Sequence, residues 1–436
     1  VNLSEQLIYQ VVIDRFASSN ELLSWSNPRA PGVRNGGNLV GLLDVHETGY
    51  FEDLGVTTLW ISPLNTNPHG DWVGVEGGQP RYQGYHGYWP TAPRSIEPAF
   101  GDTALFQKVV KNAHRRGIRV IMDLVLNHVH VEHPYYREHP EWFNGPRCVC
   151  GSSQCPWSTA IQRCWFTSYL PDLNWASPEQ IQRMVDDAIW WVETFDLDGL
   201  RVDAVPMMPR FVVRHLTYRI HERFEKLRAR HYLLGETFTG PEGHNTIRYY
   251  LGGFGLDGQF DFPLMWSLRR TIAWETDPLW DLADTWRAGA AAWAGSGAVM
   301  ANMVGNHDVT RFISEAADAG VAGLDPWAQV PTSPSEAAPY EKLFVAQAFV
   351  LTAPGAPVIY YGDEFGLPGG RDPDNRRPMR FGEQLGERET QTLDKISKIA
   401  RLRRCLPALK TGSLTFLREE KERLAYLRNL DDGYPA

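Results

Sequence analysis

Short apolar runs alternate along the chain with longer stretches in which apolar residues recur every three or four positions. The first kind reads as strand and the second as helix, because side chains repeat every two residues on a strand and every 3.6 on a helix. Residues 7–16 read as a strand, 39–54 as a helix and 57–61 as a second strand. Residues 102–116 form an amphipathic helical pattern with Phe106, Val109, Val110 and Ala113 on one face, and a third strand follows at 118–124. A helix is predicted over 178–195, then short strands at 199–204, 232–236, 258–260 and 299–304. Residues 340–351 are helical in pattern, 357–361 a strand and 390–405 a helix.

Eight nearly all-apolar strands separated by mostly helical spacers imply a parallel sheet covered on both faces. Eight such units fit an α/β fold of the (β/α)₈ TIM-barrel type. A doubly wound sheet is the rival, but no Gly-rich phosphate turn follows the first strand. Two segments break the repeat. Residues 129–173 have little periodicity and read as an inserted Cys-rich subdomain after strand 3. Residues 406–436 alternate in a β-like way (SLTFL, RLAYL) and read as the start of a C-terminal β domain. The barrel is then expected over 1–128 and 174–405.

At 436 residues, length alone allows two to four domains. The 43% apolar content supports large cores, and no apolar run reaches the roughly 18 residues of a membrane helix. A net charge of −9 disfavours nucleic acid, whose phosphates call for a basic field. A monomer is expected. The chain starts Val-Asn-Leu with no charged-then-apolar leader, and most of its cysteines cluster. Together these favour a secreted or periplasmic protein, with the cytoplasm as the alternative. The 16 tryptophans serve cores first, but some supply flat surfaces for stacking on ligand rings.

Catalytic groups of such a barrel sit at the C-terminal strand ends. Asp203, Glu236 and Asp308 each fall at one, accompanied by His128, His307 and Arg201. Arg201 and Asp203 are two apart on one strand and point the same way, so the cation should hold Asp203 ionised. Glu236 lies at the end of an apolar strand with less visible charge support and should keep a proton nearer neutrality. Two carboxyl groups pushed in opposite directions are the acid and nucleophile of glycoside hydrolysis.

At these residues the sequence resembles the α-amylase family of glycoside hydrolases (glycoside hydrolase family 13). The resemblance rests on DLVLNHV at 123–129, GLRVDAV at 199–205, GETF at 235–238, GNHD at 305–308 and LPDLN at 170–174, with YHGYWP at 85–90 and DPDNR at 372–376. It implies a retaining double displacement with Asp203 as nucleophile, Glu236 as acid and base, and Asp308 as stabiliser of the oxocarbenium-like transition state. It further implies that Arg201 orients Asp203, His128 and His307 bind the sugar, Tyr85 stacks beneath it, and Asp372 and Arg376 hold the next sugar on the non-reducing side. The family commonly carries a structural Ca²⁺, and Asn127 and Asp172 match its ligand positions. Asn127 serves equally as a strand-end hydrogen bond. Where many members have Lys-His after the fourth strand, this chain has Ala204-Val205-Pro206-Met207. No organic cofactor is implied.

Cys148, Cys150, Cys155 and Cys164 lie in the insertion and could make two disulfides in three pairings, remain thiols, or bind zinc with the nearby His130 and His133. Cys405 is expected unpaired and facing the core. The resemblance implies endo-hydrolysis of α-1,4 bonds in starch or maltodextrins. The alternative is an α-glucosidase, a cyclomaltodextrinase-like enzyme or a maltodextrin transglycosylase. A non-catalytic family member would have lost a catalytic carboxylate, and none is missing.

Overall fold

A computed structural model describes residues 3–18, 31–73, 81–150, 155–225 and 230–430. Residues 151–154 of the expected insertion and 431–436 of the expected C-terminal β segment lie outside them. Eight parallel strands form the barrel: Ile8–Val11 (β1), Thr58–Ile61 (β2), Arg119–Leu124 (β3), Gly199–Val202 (β4), Tyr232–Gly235 (β5), Gly258–Gln259 (β6), Ala301–Asn302 (β7) and Ala356–Tyr360 (β8). Each pairs with its sequence neighbour, β1 pairs with β8, and a bridge between Phe260 and Ala301 joins the remaining edges. Alternation along each strand sends Ile8, Trp60, Ile121, Leu234 and Val358 into one buried cluster in the lumen. Tyr9, Val11, Leu59, Ile61, Val120 and Met122 point outward against the helices.

The helices on that outer layer are Leu39–Glu47 (α1), Thr103–Arg115 (α2), Pro178–Phe195 (α3), Arg210–Phe224 (α4), His244–Tyr249 (α5), Leu279–Trp293 (α6), Ala338–Thr352 (α7) and Glu387–Cys405 (α8). Asp102 caps α2 by accepting the Leu105 backbone N–H at 2.8 Å. Three sequence expectations need correcting. The strand expected over 7–16 ends at Val11, and Ile13–Phe16 turn helical. The helix expected over 39–54 breaks at Gly49, whose φ of 85° ends α1 before a second short helix, Tyr50–Leu54. Cys405 is exposed at the end of α8 rather than turned to the core.

Between β3 and α3 the chain leaves the barrel with little regular structure. It is tied back by bridges at His128–Asp172 and Phe143–Leu173 and by a Cys148–Cys164 disulfide beside a Val149–Trp165 bridge. The disulfide settles one pairing that the sequence leaves open, and Cys155 Sγ lies 3.2 Å from Cys148 Sγ. After α8, Ser413–Glu419 (β9) and Leu424–Asn429 (β10) form the small antiparallel sheet that the alternation predicts. Its Phe416 and Tyr426 pack towards α6 and α7.

Candidate active site

Arg201 sits on the lumen side of β4 with its guanidinium fully buried. Its Nη1 donates to Asp203 Oδ1 at 2.5 Å and to Asp123 Oδ1 at 2.8 Å. Its Nη2 lies 3.1 Å from Glu236 Oε1. Parallel register explains the convergence: Asp123 of β3 is directly beside Arg201, and Glu236 follows the last residue of β5, the strand on the other side. Asp123 is held from behind by Trp60 Nε1 (3.1 Å) and the Tyr88 hydroxyl (2.7 Å), both donating to Oδ2. Glu236 Oε2 accepts the Ala204 backbone N–H at 3.0 Å. Ala204 has φ 49°, a left-handed conformation that costs a residue with a Cβ about 1–2 kcal/mol. Strain of that kind concentrates at functional sites.

The electrostatics correct the expectation of opposed carboxyl groups. Burial pushes Asp203 up to about 7, against the pull of Arg201 and with the push of Asp123 and Asp308. Burial also raises Glu236 to about 7 and Asp123 to about 6. Three buried carboxyls share one fixed cation, so they do not all ionise at neutral pH, and a proton stays within the set. Asp308 is the exception. Burial works against its charge, but the guanidinium groups of Arg376 and Arg201, with the His307 ring beside them, hold its carboxyl below the usual value.

Asp308 is clamped by Arg376 Nη2 at 3.1 Å and faces His307 Nε2 at 3.3 Å. Gln10 Nε2 lies 2.6 Å from His307 Nδ1. An amide nitrogen can only donate, so Nδ1 accepts and Nε2 carries the proton, facing Asp308. Burial lowers His307 to about 3 and His128 to about 4, so both rings are neutral. Arg376 also pairs with Asp372 at 3.1 Å, and its Nε donates to the His307 carbonyl.

Asp203, Glu236, Asp308, His128, His307, Asp372 and Arg376 all line one cleft of about 1010 Å³ at the mouth of the barrel. Arg201 lies beneath them. Tyr85 does not join them. It is buried, with the Arg15 guanidinium 3.8 Å from its ring centroid, so it has no face free for a sugar. Tyr88 lines the cleft instead, its ring parallel to His307 with centroids 5.1 Å apart. Gly87 decides between the two tyrosines. Its φ of 91° turns the chain where a Cβ would strike the Pro63 carbonyl. Phe238, Phe166, Tyr82, Trp327 and Arg371, none of them expected from the sequence, line the same cleft. Phe238 sits two residues after Glu236, and that spacing was the available signal. Trp327 meets Tyr82 edge to face at 5.1 Å from a distant loop and left none.

Behind the cleft, Asn127 and Asp172 are fully buried side by side. Asp172 Oδ2 accepts from Asn144 Nδ2 at 2.7 Å, but its Oδ1 and both the oxygen and the nitrogen of the Asn127 side chain have no hydrogen-bond partner among the described residues. Burial raises the Asp172 carboxyl to about 7. Unsatisfied buried oxygens, one of them on a carboxylate, are donors of the kind a hard divalent ion takes, and they would fill two of its positions.

The model of the family described as "Alpha amylase, catalytic domain" matches residues 10–403. A cyclomaltodextrinase of Geobacillus thermopakistaniensis (strain MAS1) is 26% identical over 432 residues, which is 95% of this chain and 64% of that protein. A cyclomaltodextrin glucanotransferase of Bacillus sp. (strain 17-1) is 28% identical over 438 residues, 94% of this chain and 56% of that protein. The chain thus spans less than two thirds of either relative. The crystal structure of an alpha-amylase from Geobacillus thermoleovorans complexed with acarbose superposes with a TM-score of 0.80 at 28% identity, covering 99% of this chain and 86% of that one. The match runs through every barrel strand and carries the carboxylates gathered at its mouth; the chain belongs to the α-amylase family of glycoside hydrolases.

Proposed function

We propose that this chain cleaves α-1,4-glucosidic bonds of short or cyclic maltodextrins by a retaining double displacement, with transfer to a sugar hydroxyl as a side reaction. The observation that carries the reading is the convergence of Asp203, Glu236 and Asp308 on one cleft above the buried Arg201. Asp203 attacks the anomeric carbon as the glycosidic C–O bond breaks, and Glu236 gives its proton to the leaving oxygen. Glu236 then takes a proton from water or an acceptor hydroxyl, which displaces Asp203 and restores the α configuration. Asp308, held ionised, and the neutral His307 hydrogen-bond the distorted ring, while Arg376 fixes Asp308. The substrate class is supported by similarity to the cyclomaltodextrinase and the glucanotransferase.

Endo-hydrolysis of starch is the second reading, favoured by likeness to a solved alpha-amylase. Product analysis separates the two. Faster consumption of a cyclic maltodextrin than of soluble starch, with short α-anomeric products, supports the first. Mixed malto-oligosaccharides released faster from starch support the second. Glucose alone from either substrate contradicts both.

The shared proton gives a pH profile. The acid must be protonated and the nucleophile ionised, while burial holds both groups near 7. The kcat/KM is therefore expected to be a narrow bell, falling on the acid side as Asp203 gains a proton and on the alkaline side as Glu236 loses one. Steady-state rates from pH 4 to 10 check this, and a plateau extending two units above 7 would contradict it.

We further propose that Asn127 and Asp172 hold a structural Ca²⁺, as the donor set at that position suits. Such an ion competes with the proton on Asp172. Added Ca²⁺ should raise Tm, and the gain should grow as pH rises through about 7. Melting with Ca²⁺ and with EDTA at pH 5 and 8 tests it; equal melting temperatures throughout would contradict it. The disulfide supports a place in an oxidising compartment, secreted or periplasmic.

A further inference from the structure

Among the described residues, four of the six exposed aromatic side chains belong to one region, while Phe238 lies at the cleft and Trp280 on α6. Phe211 (52% exposed) and Tyr218 (57%) are seven residues apart on α4 and share one face of that helix. Arg210 and Arg214 are four apart on the same helix. The Arg210 guanidinium lies over the Tyr249 ring, 4.4 Å from its centroid, and Arg214 lies over Phe254 at 5.9 Å. Tyr249 (52%) and Phe254 (71%) keep much of their surface in solvent. A ring backed by a guanidinium and open on its outer side is pre-set for stacking. The exposed large aliphatic side chains Val40, Val330, Val345, Leu402 and Leu417 all lie on other elements.

The patch is continuous with the cleft. Pro206 and Met207 line the cleft, and Met208 leads through Pro209 directly into Arg210. The Met208 carbonyl accepts from the Tyr250 hydroxyl at 3.3 Å and from Gln162 Nε2 at 3.2 Å, which ties the lip to the segment bearing Tyr249. Nothing in the hydrolysis of a short substrate uses these rings.

We propose that Phe211, Tyr218, Tyr249 and Phe254 form a second carbohydrate-binding surface, which holds the part of a long α-glucan chain that extends beyond the cleft past Met207. This inference rests on the glucan reading of the cleft. Pyranose rings present flat C–H faces that stack on aromatic rings, and the neutral chain asks for no counter-charge. Arg210 and Arg214 serve as the rigid backing and as donors to sugar hydroxyls at the margin.

The test compares wild type with a Tyr249→Ala/Phe254→Ala double variant on maltotriose and on amylose, with migration in native gels cast with amylose. The double variant should keep wild-type kcat/KM on maltotriose, raise KM on amylose about tenfold, and lose most of its retardation in the amylose gel. Phe254→Ala alone, whose ring is mostly in solvent, supplies the same comparison if the double variant fails to fold. An unchanged amylose KM and retardation would overturn the proposal. So would a wild-type dimer in sedimentation that the variant turns monomeric, since the patch would then be an interface between copies. A wild type inactive on both glucans would instead defeat the reading of the cleft, and the proposal with it.

Discussion

Asp203→Asn is expected to reduce kcat at least roughly 10⁴-fold on any α-glucan while leaving the fold intact. The amide keeps an oxygen to accept from Arg201 Nη1 but cannot form the ester with the anomeric carbon. Its backbone N–H still donates to the Leu124 carbonyl at 3.1 Å, so the strand end stays in place. Thermal melting within a few degrees of wild type, together with that loss, is the expected pair of results. Near-normal turnover would remove Asp203 from the nucleophile role.

Arg201→Gln is expected to act on stability as strongly as on rate. Among the described residues, Arg201 is the one cation in hydrogen-bond or ion-pair distance of all three of Asp123, Asp203 and Glu236. Removing one partner of a buried ion cluster costs about 3–5 kcal/mol. The sign with pH follows from the raised carboxyls. Asp123 at about 6 and Asp203 and Glu236 at about 7 hold protons in the folded protein to higher pH than in the unfolded chain. Without the arginine they hold them to higher pH still. The folded state then binds more protons, and stability declines as pH rises from about 4 towards and through 7. Melting should therefore show a larger deficit against wild type at pH 8 than at pH 5. A deficit independent of pH would mean that Arg201 acts through packing against Trp60 and Phe260 rather than through charge.

The barrel and its carboxylates were legible because strand-end position is a property of periodicity. Asp203, Glu236 and Asp308 each close an apolar run, and a parallel barrel brings every such end to one mouth. Charge coupling was not legible in the same way. Two-residue alternation placed Arg201 beside Asp203, but only the register between β3 and β4 shows that Asp123 flanks the same guanidinium. Burial, helped by the charges of Asp123 and Asp308, turns an expected downward shift of Asp203 into an upward one.

The choice between Tyr85 and Tyr88 was illegible for a related reason. Both rings flank the same His-Gly pair in a loop with no period, and the outcome depends on the Gly87 turn against Pro63 and on Arg15 arriving from β1's end to cover Tyr85. Trp327 comes from a loop and Tyr82 from the short strand Arg81–Tyr82 far away in sequence, so their meeting leaves no local pattern. Cysteine pairing is likewise a matter of distance. The Val149–Trp165 bridge brings Cys148 to Cys164, and four cysteines in one loop allow three arrangements until that bridge is known.

The central claim is a covalent glycosyl-enzyme on Asp203, and trapping that intermediate tests it most directly. Glu236→Gln lacks the base needed to release the sugar, while a fluoride leaving group needs no acid to depart. Incubating this variant with α-glucosyl fluoride and measuring intact and peptide masses should reveal one added glucosyl unit, on the peptide that contains Asp203. No adduct, with β-configured glucose released by wild type, or an adduct on any other carboxylate, would contradict it.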